Sequence, residues 1–324
     1  MADIVCFGEA LIDFHAHAPL EPGAPAQFVQ YAGGAPANAA VAAARLGGRA
    51  AYVGMLGRDL FADFLLESFA AAGVDTRYVV RTGAANTGLA FVSLDTGGER
   101  CFSFYRPPAA DLLFRPEHFA PACFDAAAIF HACSNSLTEA AIAETTLDGL
   151  RRARRSGALV SFDVNLRPAL WPGDVDPRPR IWAALVEADL VKFSGEELDF
   201  LAEPLGGEQA VFDKLWKGHA KLILVTDGAA PIRYVSRESR GAVSTFPVQV
   251  VNTNAAGDAF IGGLLYCLAK DEIGAAGLGS FCTDEQFAAT LRFAAACGAL
   301  AVTHHGAFTA MPTLAEVNSL LERS

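Results

Sequence analysis

Five short apolar runs, separated by segments with helical patterning, constrain the fold more than any other feature of this sequence. They cover residues 4–8, 127–130, 159–162, 190–193 and 222–226. Runs of this length and composition are typical of parallel strands that are buried on both faces. Their alternation with helical segments predicts an α/β fold, in which ligands bind at the carboxyl edge of the sheet.

Polar side chains follow these runs, where the carboxyl edge of the sheet is expected. Asp13 comes shortly after the first run, and a carboxylate there suits the binding of sugar hydroxyls. Asn165 and Glu197 follow the third and fourth runs and suit a hydrated Mg²⁺, while Arg167 suits a phosphate or carboxylate. Plainer interpretations stay open, namely a turn at Asp13, an ion pair at Arg167 and a helix N-terminal acid at Glu197.

Residues 252–260 place small side chains directly before a run that is apolar on all sides, which predicts a buried helix beginning near Gly257. Ala255, Ala256 and Gly257 leave the first amides of that helix accessible to an anion, so these amides and the helix dipole could stabilise a phosphoryl group. Asp258 would then accept the proton of a substrate hydroxyl. A first-turn acid favoured by the helix dipole is the plainer explanation of the same residue.

A second helix opening lies near the N-terminus. Gly33 and Gly34 precede a small-residue helix that has Pro36 in its first turn and Gly47 beyond its end. The two glycines would allow close approach by a small polar ligand, and Asn38 would offer that ligand both a donor and an acceptor. Ordinary turns also use paired glycines, so this pattern alone decides little.

Two stretches interrupt the α/β rhythm, at about residues 12–32 and 86–108. In the second, residues 87–94 and 101–105 alternate around a Gly-Gly turn, which is a hairpin signal. These stretches predict a small antiparallel lid over the site. Tyr105 and Arg106 end the hairpin and are candidates for contacts to the substrate, although an aromatic core residue and a solvated arginine would explain them equally.

The composition excludes several classes of protein. Hydrophobic residues make up 52% of the 324 and charged residues 19%, which excludes disorder. A formal charge of −11 argues against nucleic acid as a ligand. The seven cysteines lack the spacing of a disulfide framework or a zinc site, so reduced thiols in the cytoplasm are expected. Neither a signal peptide nor a membrane span is expected.

In this order, the segments resemble the ribokinase-like carbohydrate kinases, often called the PfkB family. Residues 33–38 and 252–260 are similar to its two signatures. The fructokinases of the family are the most similar at residues 8–14, 163–167 and 170–172. The resemblance spans nearly the whole chain. It implies a single domain over residues 1–324 with a three-layer α/β/α ribokinase-like fold, a small β-sheet lid and homodimers formed through the lids.

The residue patterns and the resemblance together give one set of candidate site residues. Asp258 is the expected catalytic base, with an anion hole at Ala255, Ala256 and Gly257. The expected sugar contacts are Asp13, Gly33, Gly34, Asn38, Tyr105, Arg106 and Arg167. The expected nucleotide site comprises Asn165, Ser194, Glu197, Thr226 and Gly228, with Glu197 holding Mg²⁺ through water.

Three positions depart from the family pattern. Asn252 stands where relatives have an aspartate that helps to hold a monovalent cation, which predicts a weakened K⁺ site. Ala255 replaces a common glycine, and Ser194 replaces the asparagine of an N-x-x-E motif. In addition, residues 226–231 lack the later glycine of the nucleotide loop.

We therefore expect an ATP- and Mg²⁺-dependent sugar kinase with O6 of D-fructose as the acceptor. A lid residue such as Arg106 would also serve 2-keto-3-deoxygluconate or a riboside. The departures at Asn252 and Ser194 leave open a sugar- or nucleoside-binding protein without turnover. Retention of Asp258 beside a small-residue anion hole favours the kinase.

Overall fold

The computed structural model describes residues 3–17, 25, 27–94, 100–106, 108–125 and 127–323. Within these residues there are thirteen strands and eleven α-helices. The strands are β1 (Ile4–Phe7), β2 (Leu11–His17), β3 (Gln27–Gly33), β4 (Ala50–Gly57), β5 (Asp75–Thr82), β6 (Gly88–Leu94), β7 (Arg100–Tyr105), β8 (Ile129–Cys133), β9 (Leu159–Asp163), β10 (Leu190–Ser194), β11 (Leu222–Thr226), β12 (Ile232–Val235) and β13 (Arg240–Val243). The helices are α1 (Ala35–Arg45), α2 (Leu60–Ala72), α3 (Ala122–Asp125), α4 (Ala140–Arg155), α5 (Arg178–Leu185), α6 (Gly195–Ala202), α7 (Glu208–Leu215), α8 (Ala256–Lys270), α9 (Leu278–Phe281), α10 (Glu285–Ala301) and α11 (Leu314–Glu322).

Nine strands form one large sheet in the order β13-β12-β11-β10-β9-β8-β1-β4-β5. The seven strands from β11 to β5 are mutually parallel, and β12 and β13 add an antiparallel edge. All five predicted apolar runs contribute strands to this sheet, and the prediction of a largely parallel α/β sheet is confirmed. Only the run at 127–130 begins earlier than its strand, β8.

Helices cover both faces of this sheet, because its central strands are apolar on both sides. In β1, Ile4 and Cys6 point into one core while Val5 and Phe7 point into the other. The first core also takes residues from α1, α2, α8 and α10, and the second takes residues from α4, α5, α6 and α7. This arrangement confirms the expected three layers.

Helix α8 is fixed in place by close packing against α1 and α10. A Cβ atom at Gly262 would collide with Ala42 of α1, and one at Gly263 would lie 2.7 Å from the Sγ of Cys297 in α10. Each glycine in a helix interior costs about 0.5–1 kcal/mol relative to alanine. The close approach offsets that cost and holds the N-terminus of α8 in a defined position.

The remaining four strands form a smaller sheet in the order β3-β2-β6-β7. Strands β6 and β7 pair antiparallel, which confirms the predicted hairpin, whereas its turn at 95–99 lies outside the described residues. The prediction of a wholly antiparallel lid was wrong, because β2 pairs with β6 in parallel and the sheet is mixed. One face of this sheet carries the aromatic rings of Phe14, Phe28, Phe91 and Tyr105 in mutual contact. Among the helices described, none is both long and apolar enough to cross a membrane.

Candidate active site

Most of the predicted site residues meet in one cavity of about 1250 Å³ at the carboxyl edge of the large sheet. Those that line it are Asp13, Gly34, Asn38, Asn165, Arg167, Ser194, Glu197, Thr226, Gly228, Ala255, Ala256, Gly257 and Asp258. The carboxyl ends of parallel strands necessarily meet at one edge, which is why residues far apart in the chain converge here. Gly33, Tyr105, Arg106 and Asn252 lie outside the lining.

The floor of the cavity is the N-terminus of α8. The helix begins at Ala256, and its N-cap residue, Ala255, has a left-handed backbone with φ of 59°. An L-residue other than glycine costs roughly 1–2 kcal/mol in this conformation. The turn aims the first amides of α8 at the cavity, where they and the helix dipole favour an anion.

Asp258 lies in the first turn of α8 and is only 8% exposed. Its Oδ2 accepts a hydrogen bond of 2.7 Å from Asn38 Nδ2, and its Oδ1 accepts one of 3.1 Å from Asn165 Nδ2. Burial and the negative charge of Asp163 together raise the pKa of Asp258 to about 6, although the hydrogen bond from Asn38 lowers it. The carboxylate is therefore unprotonated near neutral pH and basic enough to accept a hydroxyl proton.

A cluster of buried polar groups adjoins Asp258 on the side of α1. Glu9 Oε1 accepts hydrogen bonds from the Ala35 amide at 3.1 Å and from Asn135 Nδ2 at 3.0 Å, and burial raises the pKa of Glu9. Within the described chain, the carboxamide oxygens of Asn38 and Asn135 are buried without a hydrogen-bond partner. Unsatisfied buried acceptors are costly, so hydroxyl donors from a ligand would be favourable here after modest side-chain rotation.

Asp13 completes this group at the end of the small sheet. Burial and the negative charge of Asp258 together raise the pKa of Asp13 to about 7, although the charge of Arg167 lowers it. Gly33 lies opposite, and a Cβ there would collide with the Asp13 carboxylate. Gly34 has φ of 111°, and its Cβ would lie 2.5 Å from the carbonyl oxygen of Glu9. The two glycines therefore make room for neighbouring protein atoms, a role that the sequence pattern did not distinguish from room for a ligand.

The other end of the cavity is built around the start of α6. Ser194 is its N-cap, and Ser194 and Glu197 form a capping box in which each side chain accepts the other residue's backbone amide. Glu197 Oε1 also accepts from the Leu166 amide at 2.8 Å, which ties α6 to the end of β9. Burial raises the pKa of Glu197. Thr226 is the last residue of the neighbouring strand β11, and Gly228 follows it along the same edge.

Arg106 is buried away from the cavity lining, with 1% of its surface exposed. Its Nε and Nη2 donate to Asp111 Oδ2 at 2.9 and 2.5 Å. Tyr105 is 68% exposed on the aromatic face of the small sheet, whereas Phe104, the preceding residue, lines the cavity. Neither Tyr105 nor Arg106 lines this cavity, so their role in substrate binding stays a prediction.

Asn252, the expected cation-site residue, is almost completely buried. Its Oδ1 accepts a 2.8 Å hydrogen bond from the Asn254 amide, which shapes the turn that leads into α8. The carboxamide oxygen already has a backbone partner, and it brings no formal charge to a cation.

Sequence reasoning assigned no role to several residues that line the cavity, among them Glu9, Phe104, Asn135, Asp163 and Lys192. One signal was available for Lys192, because a lysine inside an apolar strand is rarely buried unless it is paired. Lys192 Nζ donates to both carboxylate oxygens of Asp163, at 2.9 and 2.8 Å. Asn135 and Phe104 gave no comparable signal.

Comparison with known proteins agrees with this geometry. The profile described as "pfkB family carbohydrate kinase" matches residues 1–314. The chain belongs to this family. It is 42% identical to fructokinase-1 of Zea mays over 326 residues, which cover 99% of this chain and 98% of that relative.

Solved structures of pfkB family kinases and their relatives have the same fold. A fructokinase from Xylella fastidiosa with bound ATP superposes with a TM-score of 0.95 at 58% identity, covering 100% of this chain and 99% of the other. A fructokinase from Vibrio cholerae O395, in a form with fructose, ADP and calcium ion bound, superposes with a TM-score of 0.83 at 30% identity, covering 99% of each chain. The chain is therefore a carbohydrate kinase of the phosphotransferase class with a ribokinase-like fold.

Proposed function

We propose that this carbohydrate kinase transfers the γ-phosphoryl group of ATP to O6 of D-fructose. The observation that carries the proposal is Asp258, which is buried in the first turn of α8 beside the first amides of that helix, where an anion is favoured. In the proposed step, the Asp258 carboxylate takes the proton of the 6-hydroxyl group as that oxygen forms a bond to phosphorus. The bond from phosphorus to the bridging oxygen breaks, and ADP leaves with that oxygen.

The charge of the cavity supports a neutral sugar over a sugar acid. Three carboxylates, Glu9, Asp13 and Asp258, line the end that holds Asn38 and Asn135. These groups suit the hydroxyls of a polyol, whereas the carboxylate of 2-keto-3-deoxygluconate would be repelled. Of the two arginines that sequence reasoning offered to such an acid, Arg106 is already paired with Asp111, and the charge of Arg167 already acts on Asp13 and Asp258.

We assign the nucleotide to the opposite end, along the carboxyl ends of β10 and β11. Within the described chain, no group of three or more histidine, cysteine or acidic side chains is placed to hold a metal. Mg²⁺ is therefore proposed to arrive with the nucleotide, where it neutralises phosphate charge. Each oxygen of Glu197 accepts one backbone amide and keeps acceptor capacity, which fits the water shell of that ion, with Asn165 beside it.

The proposal also includes a lid formed by the small sheet, a homodimer through the lids and a cytoplasmic location. Phe104 supports a lid role for the small sheet, because it joins β7 to the cavity lining. The exposed Phe28 and Tyr105 on its aromatic face support a homodimer through the lids. Six cysteines with described side chains are free thiols, which supports a reducing cytoplasm, namely Cys6, Cys123, Cys133, Cys267, Cys282 and Cys297. Sedimentation velocity with Tyr105→Glu tests the dimer, because a charge in that face should yield monomers.

A coupled ADP-release assay across D-fructose, 2-keto-3-deoxygluconate, ribose and aminoimidazole riboside tests the acceptor. We expect the highest kcat/KM with fructose, and ³¹P and ¹³C spectroscopy of the product should show phosphate on C6. A higher kcat/KM with the sugar acid or a riboside would overturn the assignment of fructose. No ADP release with any acceptor would instead favour the binding protein without turnover.

A further inference from the structure

Lys192 carries a charge inside the apolar strand β10, between the fully buried residues Val191 and Phe193. The lysine side chain is only 4% exposed, yet it reaches the carboxyl edge of the sheet and lines the cavity. A buried ammonium group is costly unless it is paired and hydrogen-bonded. Its position therefore depends on specific partners.

Asp163 is the partner that holds Lys192 in place. It ends the neighbouring parallel strand β9, directly opposite Lys192 in the register. The two oxygens of Asp163 accept hydrogen bonds of 2.9 and 2.8 Å from Lys192 Nζ. Burial alone would lower the pKa of Lys192, but the negative charge of Asp163 outweighs burial, and the pKa of Lys192 is raised. An ammonium group has three N–H donors, so one donor remains after two have formed hydrogen bonds to Asp163.

The ammonium group lies directly beside the anion-binding end of α8. A Cβ atom placed on Gly257 would lie 3.2 Å from Lys192 Nζ and 3.6 Å from its Cε, and apart from the chain neighbours of Gly257 and the adjoining backbone of α8, no other described atom is within 4 Å of that point. Gly257 is the second residue of α8, so the charge of Lys192 and the first amides of the helix face the same region of the cavity. A side chain at position 257 would separate them.

We propose that Lys192 is a catalytic residue that contacts the terminal phosphoryl group of a nucleoside triphosphate, and that Asp163 is its positioning residue. The inference rests on the proposed transfer from ATP at this site. Negative charge on the transferred group is shared among its oxygens in the transition state, and a fixed cation beside them stabilises it. Asp163 keeps the ammonium group in place before the nucleotide arrives, so little reorganisation is needed.

A second lysine–aspartate pair in the same sheet provides a control that lies away from the cavity. Lys221 Nζ lies 3.2 Å from Oδ1 of the buried Asp189, just before β11 and β10 begin and therefore at the opposite edge of the sheet. Lys221 does not line the cavity. Lys221 is 33% exposed and Asp189 also pairs with Arg154, so Lys221→Met leaves the aspartate paired and controls for the loss of a lysine charge elsewhere in the sheet.

The test compares Lys192→Met, the double variant Asp163→Asn/Lys192→Met and the control Lys221→Met. Calorimetry with Mg²⁺ and no sugar measures the dissociation constants of ATP and of ADP for each protein. Both variants at Lys192 should lose about tenfold or more of their affinity for ATP relative to ADP. Their kcat should fall by about 10²-fold or more, as when one donor to a transition-state anion is removed. Lys221→Met should keep the wild-type ratio of affinities and the wild-type kcat.

An unchanged ratio of ATP to ADP affinity in the double variant would overturn the role of Lys192. If Lys192→Met does not fold, the double variant still decides, because it leaves no unpaired carboxylate in the core. The measurement needs no sugar, so it does not depend on the acceptor. A wild-type protein that bound neither nucleotide would contradict the proposed function itself rather than the assignment of Lys192.

Discussion

Two buried ion pairs in this protein have similar chemistry and different surroundings. Arg106 pairs with Asp111 and Lys192 pairs with Asp163, and all four side chains are nearly inaccessible to solvent. Lys192 nevertheless lines the large cavity, whereas Arg106 lies outside the lining. Burial and pairing alone therefore do not identify a functional cation. Its position at the carboxyl edge of the parallel strands identifies Lys192 as the functional cation. Lys192 and Asp163 lie on neighbouring strands, where that edge meets the N-terminus of α8.

The largest expected effect of breaking the Arg106 pair is a loss of stability without a change in nucleotide binding. Arg106→Met should lower the free energy of unfolding by about 3–5 kcal/mol, because it leaves the buried Asp111 carboxylate unpaired. The ATP-to-ADP affinity ratio of the folded protein should stay at the wild-type value. Denaturant titration and calorimetry measure both, and Arg106→Met/Asp111→Asn should recover part of the lost stability.

A different result for Arg106→Met would contradict the distinction between a structural Arg106 and a functional Lys192. Unchanged stability together with a raised KM for the acceptor would show that Arg106 contacts the sugar, as its place at the end of the hairpin first suggested.

The pH dependence of the reaction should also separate the two pairs. Asp258 must be unprotonated to accept a proton, and its pKa is raised to about 6, so kcat/KM should fall as the pH drops through this value. Asp13, with a pKa raised to about 7, interacts with Asp258, so the acid limb reports both groups together. The positive charge of Lys192 lowers the pKa of Asp258, and Lys192→Met should therefore move the limb to higher pH.

Arg106→Met serves as the control for this profile, since Arg106 is not among the main influences on the pKa of Asp258. Measurement of kcat/KM between about pH 5 and 9 in buffers of constant ionic strength gives the limb for each protein. A limb that stays in place in Lys192→Met, or moves to lower pH, would contradict the proximity of Lys192 and Asp258.

The sequence was sufficient for the fold because its signals were local and repeated. Each buried parallel strand has its own apolar run, and the prediction of 222–226 matches β11 at both ends. The convergence of Asn38, Asn165 and Asp258 follows from topology, since strand ends and helix N-termini meet at one edge. These three positions were predicted without any knowledge of distances.

The direction of individual side chains was beyond the reach of sequence patterns. The positions of Phe104 and Tyr105 differ by one residue in β7, and strand alternation sends one to the cavity and the other to the aromatic face. The pairing of Arg106 with Asp111 depends on how the chain turns after β7. Lys192 was overlooked because its apolar neighbours marked the strand as core.

The smallest expected effect concerns activation by a monovalent cation, for which Asn252 was the expected site residue; unlike the two ion pairs, this position carries no charge. The amide brings no formal charge, and its Oδ1 already accepts the Asn254 amide. Activation by K⁺ should therefore be weaker than in relatives with aspartate at this position. Titration of K⁺ against an inert cation at constant ionic strength measures it, and Asn252→Asp should increase the activation. Strong, saturable activation of the wild type would show that backbone oxygens suffice.

The proton transfer to Asp258 is the central claim, and Asp258→Asn tests it most directly. The substitution keeps the size of the side chain and removes its charge, while calorimetry measures the binding of ATP and fructose and circular dichroism confirms folding. A kcat lower by about 10²- to 10⁴-fold with both ligands still bound is the predicted result, since general-base catalysis is typically worth that much. A variant that binds both ligands and keeps most of its kcat would show that the proton goes elsewhere, and the mechanism would be contradicted at Asp258.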